Sequence, residues 1–280
     1  VQIAVAGGKG GAGKTTVALG LVFSLPDVVL LDCDVDEPNC ALFLDREPEP
    51  LTVVSKTIPR INADQCTLCG ECVKLCQFNA LLELPAKILV REEFCHSCGL
   101  CSRACPQEAI AEEKKRLGLV KSGRGEVEFY QGELTVGQAR SSPVVKAVKE
   151  QVQAGAVNVI DAPPGCSCAV LTALTGADYC ILVTNPTPFG LSDLEKFLDI
   201  VENLGIPYGV IINQSESEAD ARIEQFCTDR GVSVLAKIPY SEEIAQNYSR
   251  GVSIVEGQPE YRQQFRQIYS EIQTVTEGKK

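Results

Sequence analysis

Short, unbroken apolar runs alternate along this chain with stretches whose apolar residues recur at three- and four-residue intervals. The runs at 1–6, 28–31, 157–160, 179–184, 208–213 and 232–238 predict strands, and the helical spacing at 15–24, 143–154, 191–204, 218–230 and 260–275 predicts helices. Strands that are apolar on both sides, separated by helices, belong in a mostly parallel sheet covered on both faces, an α/β architecture. Residues 117–137, with Gly123-Arg124-Gly125 at their centre, read as a strand pair that returns the chain to that sheet.

The rhythm breaks between about residues 59 and 113, where eight of the 14 cysteines fall. Asp64-Gln65-Cys66…Cys76…Ala80-Leu81 repeats as Glu93-Phe94-Cys95…Cys105…Ala109-Ile110 at a constant offset of 29 residues. A self-similar segment inside an α/β pattern predicts a separate small module. The expected division is a first part at 1–58, an insert at 59–113 and a second part at 114–280, with 46–50 and 112–116 as solvated connectors.

Composition narrows the function. With 26 Lys+Arg against 37 Asp+Glu the net charge is −11, which argues against nucleic acid or an anionic membrane as partner. No apolar run is long enough to span a bilayer, and no basic segment followed by an apolar stretch opens the sequence, so a cytoplasmic location is expected. In that setting 14 cysteines signify metal or redox chemistry in a reducing compartment rather than disulfides.

Gly8-Lys9-Gly10-Gly11-Ala12-Gly13-Lys14-Thr15 joins the first strand to the first helix. Glycines there let backbone N–H groups turn inward around phosphate oxygens at the positive end of a helix. Lys14 would reach the β- and γ-phosphates of ATP or ADP, and the Thr15 hydroxyl would ligate Mg²⁺.

The additional lysine, in Lys9-Gly-Gly-Ala-Gly-Lys14-Thr15-Thr16, resembles the deviant Walker A loop of the MinD/ParA/Mrp family of ATPases. The resemblance implies that Lys9 acts across a homodimer that sandwiches ATP. Asp32-Cys-Asp34-Val-Asp36-Glu-Pro-Asn39 resembles the family's switch I, which implies that Asp34 positions the attacking water and that Asp32 or Asp36 helps organise Mg²⁺. Val159-Ile160-Asp161-Ala-Pro-Pro-Gly165 resembles the Walker B strand and switch II, where an acid holds a Mg²⁺ water and a glycine amide senses the γ-phosphate. Asn213 and Pro239-Tyr240, each at the end of an apolar strand, resemble the adenine-side positions.

Cys66-x2-Cys69-x2-Cys72-x3-Cys76 and Cys95-x2-Cys98-x2-Cys101-x3-Cys105-Pro106 both carry bacterial 4Fe–4S spacing. In that pattern three thiolates wrap one cluster and the fourth serves the other, giving Cys66, Cys69, Cys72 and Cys105 for one and Cys95, Cys98, Cys101 and Cys76 for the second. Cys76 is followed by Gln77 rather than proline, and zinc in a four-cysteine site is the alternative occupant. His96 lies between two ligands and reads as a surface residue. Cys166 and Cys168 follow switch II and are candidates for a metal or cluster shared between subunits; Cys33, Cys40, Cys180 and Cys227 read as small buried apolar residues. Tyr261, Phe265, Ile268, Ile272 and Val275 predict a helix that docks on its own domain rather than on a membrane.

The chain as a whole resembles a MinD-superfamily ATPase carrying an inserted ferredoxin domain. That resemblance implies a slow, partner-coupled ATPase whose nucleotide-dependent dimerisation drives electron transfer with a redox partner protein. Two alternatives are an Mrp-like iron–sulfur scaffold or carrier serving an acceptor protein, and a nucleotide-switched regulator.

Overall fold

The computed structural model describes residues 1–44 and 47–278. The chain runs through β1 (Gln2–Ala6), α1 (Lys14–Val22), β2 (Val28–Asp32), β3 (Glu49–Ile61), α2 (Glu71–Leu75), β4 (Leu81–Leu84), β5 (Lys87–Val90), α3 (Leu100–Arg103) and β6 (Ile110–Arg124). It continues through β7 (Glu128–Leu134), α4 (Ser142–Lys149), β8 (Val157–Asp161), α5 (Cys168–Leu174), β9 (Tyr179–Thr184), α6 (Pro188–Asn203) and β10 (Tyr208–Ser215). The last elements are α7 (Ala221–Asp229), β11 (Val234–Pro239), α8 (Glu242–Ser249), α9 (Ile254–Gly257) and α10 (Tyr261–Glu277). Two compact units result: Val1–Leu51 with Val120–Glu133 and Ser142–Lys280, and Thr52–Leu119 with Leu134–Ser141.

The first unit is built on strands in the order β11-β10-β9-β1-β8-β2-β7, which pair in parallel. Alternate residues of each strand enter one core. Ile3, Val5, Leu30, Val159, Ile181, Val183 and Ile211 join Val17, Leu21, Phe265, Ile268 and Ile272 of α1 and α10. Their neighbours Ala4, Leu31, Ile160 and Leu182 are equally buried but lie outside that cluster, and α4, α5 and α6 contact β2, β1 and β9. This two-sided burial is why the strands read as unbroken apolar runs. As expected, α10 docks on its own unit: Arg266 donates to the Ser24 carbonyl at 2.9 Å, and Phe265 is 1% exposed.

The second unit contains the cysteine repeat, and its backbone repeats as the sequence does. Leu68 and Ser97, Gly70 and Gly99, and Asn79 and Glu108, each pair 29 apart, all adopt positive φ. Helix α2 begins after Gly70 and α3 after Gly99. The strand pair anticipated at 117–137 is present, but β6 starts earlier, at Ile110. Glu112–Arg116 are therefore strand rather than connector; side chains exposed on both faces give no period-two signal there. Of the other predicted connector, Arg46 lies outside the described residues and Glu49-Pro50 begin β3. Among the described residues no helix is long and apolar enough to cross a membrane.

Candidate functional site

At the end of β1 the chain turns through glycines into α1, whose first residue is Lys14. Gly13 has φ +96°, and a Cβ there would lie 2.0 Å from Asn213 Nδ2. Asn213 donates that amide to the Ala12 carbonyl at 2.9 Å, so β10 straps the loop from behind. Glycine is thus required at 13 both by the left-handed backbone and by the strap. The side chain of Lys14 is 6% exposed, and its Nζ donates to the Lys9 carbonyl at 3.1 Å, which places an ammonium group beside the helix N-terminus.

The Thr15 hydroxyl donates to Asp161 Oδ2 at 2.7 Å. Asp161 Oδ1 is buried and has no hydrogen-bond partner among the described residues. Asp32 lies opposite Asp161 in the parallel register and accepts backbone N–H bonds from Asp34 and Cys40, each at 3.1 Å. Burial and then the charge of Asp161 push the Asp32 carboxyl up to about 8, and the same two causes push Asp34 up to about 6. Asp161 is itself raised, chiefly by burial. Three crowded acids and an orphaned oxygen make a site short of positive charge, and a set of hard oxygen donors suits Mg²⁺. Of the two supplementary acids proposed from sequence, Asp32 reaches this group and Asp36 is exposed.

A cleft of about 1120 Å³, counting its open mouth, runs from Lys14, Thr15 and Thr16 past Asp34 and Pro164. Asn213, Pro239 and Tyr240 also line it. The structure therefore brings the adenine-side candidates to the same cavity as the phosphate loop. Gly10, Gly11 and Gly13 also line it, whereas Gly8, Lys9 and Ala12 border a smaller hollow against α6, and Gly165 lies beyond Pro164 on neither wall. Lys9 points away from its own cleft: its Nζ sits 4.2 Å from the centre of the Phe189 ring, which is 70% exposed.

Several residues of this site were not found from sequence. Tyr248 lines the cleft from α8, accepts a 3.4 Å hydrogen bond from Asn39, and packs its ring 4.8 Å from Phe43. Ser241 caps α8 by accepting from the Ile244 N–H. The Ser-Glu-Glu start after Pro239-Tyr240 is a helix-start signal that could have located this wall. Cys40 is buried as expected, but its Sγ lies 3.5 Å from Asp161 Oδ2, a neighbourhood that no local motif announces.

In the second unit the eight repeat cysteines gather around two hollows. Cys76, Cys95, Cys98 and Cys101 line one of about 490 Å³, and Cys66, Cys69, Cys72 and Cys105 line one of about 350 Å³, each counting its mouth. A single tetrahedral zinc at Zn–S of about 2.3 Å would draw its sulfurs to about 3.8 Å from one another. Among the described residues, only Asp32, Cys40 and Asp161 converge as a group of three or more potential ligands within 4.8 Å. The repeat thiols are spread too widely for one metal ion, and four sulfurs ringing a hollow fit a larger inorganic core. His96 is exposed, as expected, and stacks on Phe78 with ring centres 3.7 Å apart. Cys166 and Cys168 are both exposed, the first on the loop before α5 and the second as the first residue of that helix.

Comparison with known proteins matches residues 3–254 to the CobQ/CobB/MinD/ParA nucleotide binding domain model. An uncharacterized protein of Methanocaldococcus jannaschii is 31% identical over 270 residues, covering 90% of this chain and 91% of that one. An iron–sulfur cluster carrier protein of Pyrococcus abyssi is 24% identical, over 91% of this chain and 79% of its own length. Among solved structures, the septum site-determining protein MinD of Pyrococcus horikoshii, complexed with Mg-ADP, superposes with a TM-score of 0.59 at 20% identity, covering 98% of this chain and 96% of that one.

Proposed function

The chain belongs to the CobQ/CobB/MinD/ParA nucleotide-binding family, and from that premise we propose that it is a slow ATPase coupling nucleotide-driven pairing of two subunits to electron transfer through two 4Fe–4S clusters. The observation that carries this reading is the coexistence, in one chain, of a Thr15–Asp161 cation site beside a phosphate loop and of two hollows each ringed by four cysteines.

In this reading Lys14 and the N–H groups at the start of α1 hold the β- and γ-phosphates. Thr15 and Asp161 hold Mg²⁺, which supplies charge neutralisation at the phosphates. Asp34, on the cleft wall, orients the attacking water. Lys9, directed out of its own cleft, serves the partner's nucleotide. The MinD relative was solved with Mg-ADP, which supports the same ligands here. The ligand sets are Cys66, Cys69, Cys72 and Cys105 for one cluster and Cys76, Cys95, Cys98 and Cys101 for the other, in agreement with how the hollows are lined. From the loop bearing Asp34 the chain leads on into β3, the strand that opens the cysteine unit, and this covalent continuity supports coupling.

The test is anaerobic. The purified chain should carry about eight irons, and the Asp34→Ala variant with ATP should elute as a dimer. Cluster reduction by a low-potential donor should differ between ATP, ADP and no nucleotide. Identical reduction in all three states overturns the coupling. A second reading, cluster delivery to an acceptor protein, is favoured by one observation: Cys166 and Cys168 are exposed just after the Asp161–Gly165 segment, and the Pyrococcus abyssi relative is named a cluster carrier. Iron beyond eight per chain, lost in Cys168→Ala, would support it.

A further inference from the structure

The second unit is nearly two-fold symmetric, and two of its departures from symmetry favour one hollow. Glu83 and Glu112, 29 residues apart, occupy equivalent places: a Cβ on Gly70 would lie 2.7 Å from Glu83 Oε2, and one on Gly99 would lie 2.9 Å from Glu112 Oε1. Each carboxylate therefore stands beside the backbone next to one cysteine, Cys69 or Cys98, and Glu112, which accepts a hydrogen bond from the Ser102 hydroxyl, also lines its hollow. The Ala80 N–H donates to Cys76 Sγ at 3.3 Å and the Ala109 N–H to Cys105 Sγ at 3.4 Å, a balanced pair.

Two features have no counterpart on the other side. The Ser97 N–H also donates to Cys95 Sγ, at 3.5 Å. Lys56, 5% exposed on β3, is the residue before Thr57, whose carbonyl lies 3.8 Å from Cys95 Sγ. Its Nζ donates to the Glu92 carbonyl at 2.6 Å, while the Glu92 carboxylate pairs with Arg60 and Lys115. Lys56 thus brings a buried positive charge with no ion pair among the described residues. The position 29 residues further on is Pro85, in the exposed turn between β4 and β5.

N–H···S bonds and nearby cations stabilise the extra electron of a reduced cluster, and both effects strengthen where solvent is excluded. We infer that the two redox sites are unequal: the one held by Cys76, Cys95, Cys98 and Cys101 is the more oxidising, with Lys56 setting the gap, and electrons pass to it from the one held by Cys66, Cys69, Cys72 and Cys105. The step is a one-electron exchange in which the donor cluster is oxidised by one unit and the acceptor reduced by one, with no proton moved. The inference rests on the cluster reading above and adds a direction to it. Lys56 acts through the field it places on the acceptor, so it is a positioning charge, not a ligand.

The test is an anaerobic redox titration of the holoprotein followed by electron paramagnetic resonance, comparing Lys56→Met and Lys56→Arg with the parent chain. The parent should reduce in two resolved steps. In Lys56→Met the first, higher-potential step should move to lower potential by about tenfold in the reduced-to-oxidised ratio, which is 59 mV for one electron. The second step should stay in place, and Lys56→Arg should restore the first. Movement of the lower step, equal movement of both, or no movement overturns the inference. If Lys56→Met loses iron, Glu83→Gln is decisive: removing the carboxylate beside Cys69 should raise only the lower step, and a rise in the higher step overturns the assignment. A parent chain without about eight irons and reduced-cubane signals refutes the cluster reading itself, which separates that failure from this one.

Discussion

Thr15 and Asp161, 146 residues apart in the chain, meet in a 2.7 Å hydrogen bond that leaves the second oxygen of Asp161 buried and unpartnered. The contact arises because β1 and β8 are parallel neighbours, paired from Gln2–Asn158 to Val5–Asp161, which brings the phosphate loop and the Asp161 strand end to the same carboxyl-end side of the sheet. Crevices at the carboxyl ends of parallel strands are where α/β sheets bind ligands.

Asp161→Asn is expected to weaken ADP binding at least tenfold in the presence of Mg²⁺ and far less in EDTA, because the lost group serves the cation and not the phosphates. Calorimetric titration in the two buffers checks it. Equal losses in both would mean that Asp161 acts only as a structural anchor for Thr15.

Asp34→Ala should retain ATP binding and lose hydrolysis by about 100-fold or more, as expected when the group orienting the water is removed. Steady-state phosphate release, with nucleotide affinity measured in parallel, separates the two. Retained turnover would remove Asp34 from the site.

Lys9→Ala should bind nucleotide normally and fail to dimerise with ATP, since Lys9 points out of its own cleft. Phe189→Ala, which frees the same ammonium group, should leave dimerisation intact. Light scattering after size exclusion, with and without ATP, checks both variants, and an unaffected Lys9→Ala dimer would contradict the role.

Cys76→Ala should abolish the site shared with Cys95, Cys98 and Cys101 while sparing the one formed by Cys66, Cys69, Cys72 and Cys105, because the hollows are lined across the repeat. Iron content should fall to about half, and double substitution with Cys98→Ala should remove no more. A further loss in the double variant would mean that ligands are not crossed.

Phe265→Ala should cost about 3–5 kcal/mol of stability, the usual range for a fully buried aromatic side chain. Gly20→Ala should also destabilise, since its Cβ would lie 2.2 Å from the Phe265 ring. Thermal melts of each variant test a close approach that helix propensity alone would favour altering in the opposite direction.

The features legible in the sequence were those whose chemistry is local. A phosphate loop must sit between one strand and one helix, and a cysteine array declares itself by its own close spacing, so Gly8–Thr15 and both cysteine arrays could be read directly. The core strands were equally plain, because burial on both faces removes polar residues from every position.

Tertiary structure decided what separated segments do together. It moved Cys40 from an anonymous core residue to a neighbour of Asp161 and added Tyr248 to the nucleotide cleft. It also recovered the charged stretch 112–116 as strand and made Lys56 a buried charge, without an ion pair among the described residues, near Cys95. Local spacing records which atoms one short segment can present. It carries no information on which distant segment shares their dielectric surroundings, and burial, charge balance and redox poise all depend on that.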